Sequence, residues 1–326
     1  MAMNESCALN QIRWRKLGHV WAARGDSEMM HSHGKSRAVL DLGDRLRAYT
    51  MCYGRPTPAG DITCRTFYVD LDRSDPTKVI YVSSHPVLSL GQKGEFDEHG
   101  VMAEMVLDRG SEIWMYYDGW SRRSSVPYDW AIGLAISQDG GLSFERNGRG
   151  PILGPSAHEP FLQASPFVLV SDSGVWHMWY LSGDSWKTDE QDQLYATYRI
   201  RHASSEDGIT WLRNEVPCLD TILEDECQAG PTVFRHNGSF HMIFSYRSGQ
   251  RKNQNSVGYA LGHAISEDLQ KWTRCGDVVF NDPGDEVWDL KMKCYPQVLT
   301  IENRVLLFYS GNEYGRTGFG VAELIH

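Results

Sequence analysis

The sequence predicts an all-β fold, a five-bladed β-propeller with four-stranded antiparallel blades, and three observations predict it. A unit of about 65 residues recurs five times and accounts for nearly all of the 326 residues. Each unit carries the signals of four short strands separated by turn residues. The composition, with 11 Trp, 15 Tyr, 11 Phe and 31 Gly, suits short strands and tight turns rather than long helices.

The first half of each unit reads as an acidic cluster, a short gap, an apolar run, a turn, and a second apolar-aromatic run. The third copy is clearest. Glu159 and Pro160 precede Ala164–Val170, a Ser171–Gly174 turn follows, and Val175–Tyr180 then leads to Gly183. In the fourth copy Asp225 and Glu226 precede Gly230–Phe234, His236-Asn237-Gly238 is the turn, and Phe240–Tyr246 is the second run. The fifth has Asp285, Glu286 and Asp289, then Tyr295–Leu299 and Val305–Gly311. The second has Asp97 and Glu98, Met102–Leu107, an Asp108-Arg109-Gly110 turn, and Ile113–Tyr117. The first copy has His31 and His33 where the others have acids, then Ala38–Leu40, a Gly43-Asp44 turn and Leu46–Tyr49. A register mark, proline in the last three copies, falls at Arg37, Ala103, Pro166, Pro231 and Pro296, with spacings of 66, 63, 65 and 65 residues.

The second half reads Gly-x-Ala-x-Ser-x-Asp-Gly, then an aromatic and a basic residue. Gly133–Gly140 leads to Phe144 and Arg146, His202–Gly208 to Trp211 and Arg213, and Gly262–Asp268 to Trp272 and Arg274. Small alternating residues make a third strand, Asp-Gly supplies a turn that needs positive φ, and the aromatic opens the outer strand. A strand solenoid would use much shorter periods, whereas four-stranded units repeated radially make a propeller. The chain ends on a third strand, Gly318–Leu324. Ile12–Gly18, with Trp14 and Arg15, is expected to supply the missing outer strand and close the ring. The whole of 1–326 is expected to be one domain.

The formal net charge is −10, which argues against a nucleic-acid phosphate binder. Seven scattered cysteines (Cys7, Cys52, Cys64, Cys218, Cys227, Cys275 and Cys294) show no CxxC spacing, so neither a disulfide framework nor a zinc site is indicated. Met1–Asn10 lacks a charged segment followed by an apolar run, and no apolar run reaches the ~18 residues of a membrane span, so a cytoplasmic location without membrane association is expected. There is no P-loop, no GxGxxG after a strand, no GxSxG and no HExxH, and neither cofactor nor metal is expected.

In a propeller the first strand of each blade lies nearest the axis, so residues just before the register mark converge on one face. His31, His33, Asp97, Glu98, His158, Glu159, Asp225, Glu226, Asp285, Glu286 and Asp289 are expected there. Gathered carboxylates raise one another's pKa, which suits glycoside cleavage by one acid and one base or nucleophile. Trp120, Trp186 and Trp288 accompany these positions, and an indole face suits stacking on a sugar ring. Two basic groups follow second strands: Arg122 with Arg123, and Arg247 with Arg251 and Lys252. Either solvated loops or an anionic ligand such as phosphate explains them.

These residues resemble the five-bladed propeller glycosidases, the broad group of arabinanases, xylosidases and invertase-like enzymes. The chain is most similar to an uncharacterised branch associated with bacterial surface-polysaccharide gene clusters. Ser32-His33, Leu42–Arg47, Phe96–Met102, Ala131–Ser137 and Gly315–Gly320 carry that likeness. The resemblance implies funnel carboxylates as acid, base or nucleophile, and by position these are Asp97, Glu226 and Asp289, with Glu159 next. Substrate contacts are expected from His33, Glu98, Trp120, Trp186, Arg247, Trp288 and Lys291. Three departures stand out: no Asp leads into the first blade, Gly230 stands where the branch is expected to have Arg, and Lys291 where it is expected to have an acid. The expected function is a glycoside hydrolase acting on a small or modified glycan. A glycosyl transferase or phosphorylase on the same scaffold and a non-catalytic carbohydrate-binding propeller are the alternatives.

Overall fold

The structure, a computed structural model, describes residue 7 and residues 12–249, 258–281 and 287–325. Arg251, Lys252, Asp285 and Glu286 therefore lie outside the described residues. Strand β1 spans Arg13–Trp21. The first unit forms β2 (Ser32–Asp41), β3 (Arg45–Tyr53), β4 (Cys64–Asp72) and β5 (Val79–Val82). The second forms β6 (Gly100–Asp108), β7 (Ile113–Ser121), β8 (Asp129–Ser137) and β9 (Glu145–Arg146). The third forms β10 (Gln163–Val170), β11 (Trp176–Thr188), β12 (Leu194–Ser205) and β13 (Leu212–Asn214). The fourth forms β14 (Glu226–His236), β15 (Ser239–Ser248), β16 (Ala260–Ser266) and β17 (Thr273–Asp277). After β18 (Val279–Phe280), the fifth forms β19 (Cys294–Ile301), β20 (Arg304–Ser310) and β21 (Phe319–Ile325), with one helical turn at Asn312–Gly315.

Within every unit the strands pair antiparallel with their sequence neighbours. Units one and two are linked by a single parallel bridge, Cys64 to Gly100. The N-terminal β1 adds to β21 antiparallel, and β18, which the repeat does not predict, pairs parallel with β1. The first strands touch in cyclic order: β2 with β6, β6 with β10, β10 with β14, β14 with β19, and β19 with β2.

Each sheet is apolar on both faces because it packs between two others. One core joins Leu40 and Tyr49 to Val106 and Phe144, and the next joins Tyr116 and Ile132 to Trp176 and Tyr180. A third sets Phe167 and Trp179 against Phe244 and Trp272, and a fourth sets Phe234 and Ile243 against Leu307 and Trp14. The fifth returns Phe308 and Phe319 to Val39 and Val69. The Tyr49 hydroxyl donates to Gly141 O and that of Tyr116 to Gly208 O, so a tyrosine also ties each of these sheets to the next unit's Asp-Gly turn. In those turns Asp139, Asp207 and Asp268 accept backbone N–H groups, the structural role their pattern predicts.

Two expectations are corrected. The residue of β1 that matches Arg146, Arg213 and Arg274 is Lys16 and not Arg15, because the Trp-x-basic spacing carries across from Trp14; Arg15 instead meets Glu323 (2.9 Å). Cys7 and Cys275 form a disulfide across 268 residues, a pairing that only the folded arrangement of β1 beside the fourth unit creates. Such a bond is uncommon in a reducing compartment. No helix among the described residues is long and apolar enough to cross a membrane.

Candidate functional site

The repeated carboxylates are each consumed inside their own unit. Asp97 accepts the Tyr117 hydroxyl (3.0 Å) and Arg146 Nε (2.8 Å). Glu159 accepts the hydroxyls of Tyr180 and Ser182 (both 2.8 Å) and lies 3.4 Å from Arg213. Asp289 accepts the Tyr309 hydroxyl (2.9 Å) and pairs with Lys16 (2.8 Å). In the fourth unit phenylalanine, Phe244, stands in the tyrosine's place. Glu226 takes Arg274 (2.7 Å), Gln228 (2.8 Å) and the N–H groups of Ile222 and Leu223. Every unit that has the carboxylate thus ties the loop before its first strand to its outer strand through one buried ion pair. None of the four lines the central cavity. In unit one, which lacks the carboxylate, Thr50 stands in the tyrosine's place and donates to the Lys35 carbonyl (3.2 Å).

The central cavity, of about 270 Å³, is walled by first strands from all five units. It is not the acidic funnel that the sequence suggests. Tyrosines and tryptophans dominate its wall, with Lys35 and Arg247 as cations and Asp118 as the one carboxylate among the described lining residues. Bulges interrupt every first strand near the register mark and turn local backbone toward the cavity. Four non-glycine residues on the wall have positive φ: His33 (71°), Ser165 (54°), Tyr295 (55°) and Tyr314 (60°). Such conformations cost about 1–3 kcal/mol each and gather where a site needs them.

Glu104, on β6 behind this wall, is fully buried and meets Lys35 Nζ (2.6 Å) and Arg37. Arg37 also donates to the carbonyls of Pro231 (2.6 Å) and Pro296 (3.5 Å). A Cβ on Gly230 would sit 3.3 Å from Arg37 Nε. Arg37 therefore fills the space beside Gly230, from the other side of the axis. Burial opposes the charge of Glu104, but Lys35 and Arg37 hold its carboxyl below the ordinary range. Asp118 on β7 is in the opposite condition. Burial first, and the Glu104 charge second, push its carboxyl well up, against the opposing Lys35 and the Ser165 N–H that reaches Asp118 Oδ1 (2.8 Å). A carboxyl so placed keeps its proton to higher pH than a solvated one and can donate it.

Across the cavity, Arg247 Nη2 donates to the Tyr198 hydroxyl (3.1 Å), and the guanidinium lies 5.1 Å from the Tyr259 ring centre. Its Nε is buried with no acceptor among the described residues, a donor open to an anion. His33 sits edge-on to Tyr53 (4.6 Å), and burial, then Arg316, lowers its pKa to about 4, so it is neutral at pH 7.

Of the predicted contacts, His33, Trp120 and Arg247 reach this cavity. Trp186 packs on Tyr128 (5.1 Å) behind it. Trp288 is buried against Tyr309 and His19, Lys291 is exposed with its N–H held by Asn312, and Glu98 lines a neighbouring cavity. Asp118, Glu104, Lys35 and Arg37 were not singled out for this role by sequence reasoning. The available signal was a break in the repeat: the positions matching Asp118 are Met51, Leu181, Ser245 and Ser310.

No protein-family model matches the chain. The uncharacterized protein Rv1502 of Mycobacterium tuberculosis (strain ATCC 25618 / H37Rv) is 33% identical over 321 residues, covering 96% of this chain and 99% of that protein. A 1,2-beta-oligomannan phosphorylase of Thermoanaerobacter sp. (strain X514) is 25% identical over 149 residues, 44% of this chain and 48% of that protein. Among solved structures, a glycoside hydrolase superposes with a TM-score of 0.72 at 17% identity, covering 99% of this chain and 95% of that one. A structure from the GH130 family, described as mannoside phosphorylases that include hydrolases of β-1,2 mannosidic linkages, has a TM-score of 0.70 at 14% identity, covering 96% and 94%. The chain belongs to the family of Rv1502 and has the propeller fold of the glycoside hydrolase-like superfamily.

Proposed function

We propose that residues 1–326 form one five-bladed propeller, closed by β1, that cleaves a glycosidic bond in a glycan by phosphorolysis. Asp118 is the general acid and Arg247 holds the attacking phosphate. The observation that carries this reading is that, among the described lining residues, one carboxylate, Asp118, faces a cavity whose wall is dominated by aromatic rings and whose other charged residues are the cations Lys35 and Arg247. Hydrolysis with inversion needs a second carboxylate to activate water. Glu104, whose charge acts on Asp118, is already held by two cations. Phosphate brings its own nucleophilic oxygen and needs positive charge instead. The Asp118 proton passes to the leaving oxygen as that C–O bond breaks, while a phosphate oxygen bonds to the anomeric carbon. The products are a sugar 1-phosphate and a shortened glycan. The phosphorylase relative supports this choice.

β-1,2-linked mannobiose, incubated with and without inorganic phosphate, tests it. Sugar 1-phosphate is expected only with phosphate, and Asp118→Asn is expected to lower kcat about 10²–10⁴-fold with the fold intact. Phosphate-independent release of free sugar would favour hydrolysis, the second reading that the fold supports. Full activity in the Asp118→Asn protein would remove Asp118 from the chemistry.

A further inference from the structure

A second cavity, of about 380 Å³, adjoins the central one and is not used by the chemistry above. Its walls include Phe96, Glu98, Arg122, Arg123 and Asp129. The two cavities share Trp130. This ring lies at the start of β8, half-buried, and stacks on Tyr128 at 4.9 Å and 22°. Tyr128 lines the central cavity and is itself buttressed edge-on by Trp186. Two stacked rings, Tyr128 and Trp130, backed by Trp186, therefore form the wall where the two cavities adjoin. The indole Nε1 of Trp130 is buried with no acceptor among the described residues. A buried donor of this kind is normally satisfied by water or by a ligand.

The chemistry of the second cavity is balanced. Arg122 pairs with Asp61 and Arg123 with Asp129, while Glu98 accepts the Gly94 N–H (2.8 Å) and faces His99. Both arginines are matched by carboxylates, so the surface offers donors and acceptors with no uncompensated cation. That suits the hydroxyls of a neutral sugar better than a polyanion, which would need uncompensated cations. Phe96 adds an apolar face, stacked on Tyr117 at 5.9 Å.

We infer that the second cavity binds the continuation of a neutral oligosaccharide whose reacting end lies in the central cavity, with Trp130 under the residue that spans the two. The substrate is then a chain longer than a disaccharide. The inference rests on the glycan-cleaving reading for which end is cut, but the binding it asserts stands apart from turnover.

The test is calorimetric binding in phosphate-free buffer, with di- and tetrasaccharides of neutral β-1,2-mannan, β-1,4-mannan, xylan and arabinan as probes. For the best-bound linkage, the tetrasaccharide is expected to bind about tenfold more tightly than the disaccharide, the worth of one stacked ring and a few hydroxyl bonds. Trp130→Ala should bring that ratio close to one, and Arg122→Ala should lower it about threefold. Trp130→Phe, which keeps a ring, should restore most of it. Equal affinity for both lengths in every linkage, no binding of any probe, or an unchanged ratio in Trp130→Ala would each overturn the inference. A length-dependent ratio without cleavage keeps the groove and discards the phosphorolysis. Cleavage of both lengths with equal kcat/KM does the reverse.

Discussion

Replacing Asp97 by Ala separates scaffold from chemistry most sharply. Asp97 is fully buried and holds two partners from different strands: the Tyr117 hydroxyl on β7 and Arg146 on β9. Its removal leaves a buried hydroxyl without an acceptor and a guanidinium without its anion. Breaking a buried pair from one side costs about 3–5 kcal/mol. Arg146 keeps one bond, from Nη2 to Ser89 O (2.6 Å), and its side chain is 17% exposed, which places the loss near 3 kcal/mol, the lower end of that range. At roughly 2 °C per kcal/mol for a chain of this size, the midpoint should fall by about 6 °C. Urea unfolding followed by fluorescence of the 11 tryptophans gives the free energy, and turnover per folded molecule gives the chemistry. The expected result is a destabilised protein whose kcat stays within about twofold of the parent. A variant with an unchanged midpoint and a kcat reduced by two or more orders of magnitude would refute the reasoning and return Asp97 to the active centre.

The remaining outcomes concern the anion, the disulfide and the histidines. Arg247→Ala should raise the KM for phosphate by about tenfold or more, the worth of one charge-assisted bond, with a smaller effect on glycan affinity; steady-state kinetics with each substrate varied separates the two. Cys7→Ser should lower stability by about 2–5 kcal/mol relative to the oxidised protein and match the parent treated with a reductant, as read by thermal unfolding. His177 with His202, and His241 with His263, form cross-strand pairs at 3.0 Å. Burial lowers His202 and His241 to about 4, and burial followed by His241 lowers His263 to about 3. The unfolded imidazoles take up protons below about pH 6.5 while the folded ones stay neutral. Stability is therefore full above that pH and lost as pH falls toward 4, by up to about 1.4 kcal/mol per site per pH unit. Urea midpoints at pH 7 and pH 5.5 that coincide would contradict this.

The scaffold was readable because its physics is local and repeated. Alternating apolar runs, Asp-Gly turns and a Trp-x-basic outer strand recur in each unit, and each device has the same partners wherever it occurs. Trp14 announced that the N-terminal strand would behave as an outer strand, and β1 pairs with β21 as expected. What failed was what depends on distance in space without a pattern in sequence. Cys7 and Cys275 are 268 residues apart and carry no spacing signal. Arg37 and Glu104, 67 residues apart, meet only because β2 and β6 run side by side.

The placement of the repeated carboxylates away from the central cavity has a more general cause. In a pseudo-symmetric fold, a residue type that returns in several units must satisfy a demand those units share. The shared demand in units two to five is holding the loop before the first strand to the outer strand, and the ion pairs of Asp97, Glu159, Glu226 and Asp289 meet it. A small asymmetric ligand does not share the repeat's symmetry, and groups that act on one must break the repeat. Asp118 does so at a position held by Met51, Leu181, Ser245 and Ser310 in the other units. Arg37 does so at the register mark, where three units have proline, and the unit without the repeated carboxylate is the one that sends Lys35 and Arg37 to Glu104. The charge asymmetry around Asp118, a neighbouring carboxylate neutralised by two cations, can exist at one place only, because five such clusters on one axis would leave ten buried cations facing one another. Departure from the repeat, rather than conformity to it, is therefore where the chemistry of this chain is to be sought.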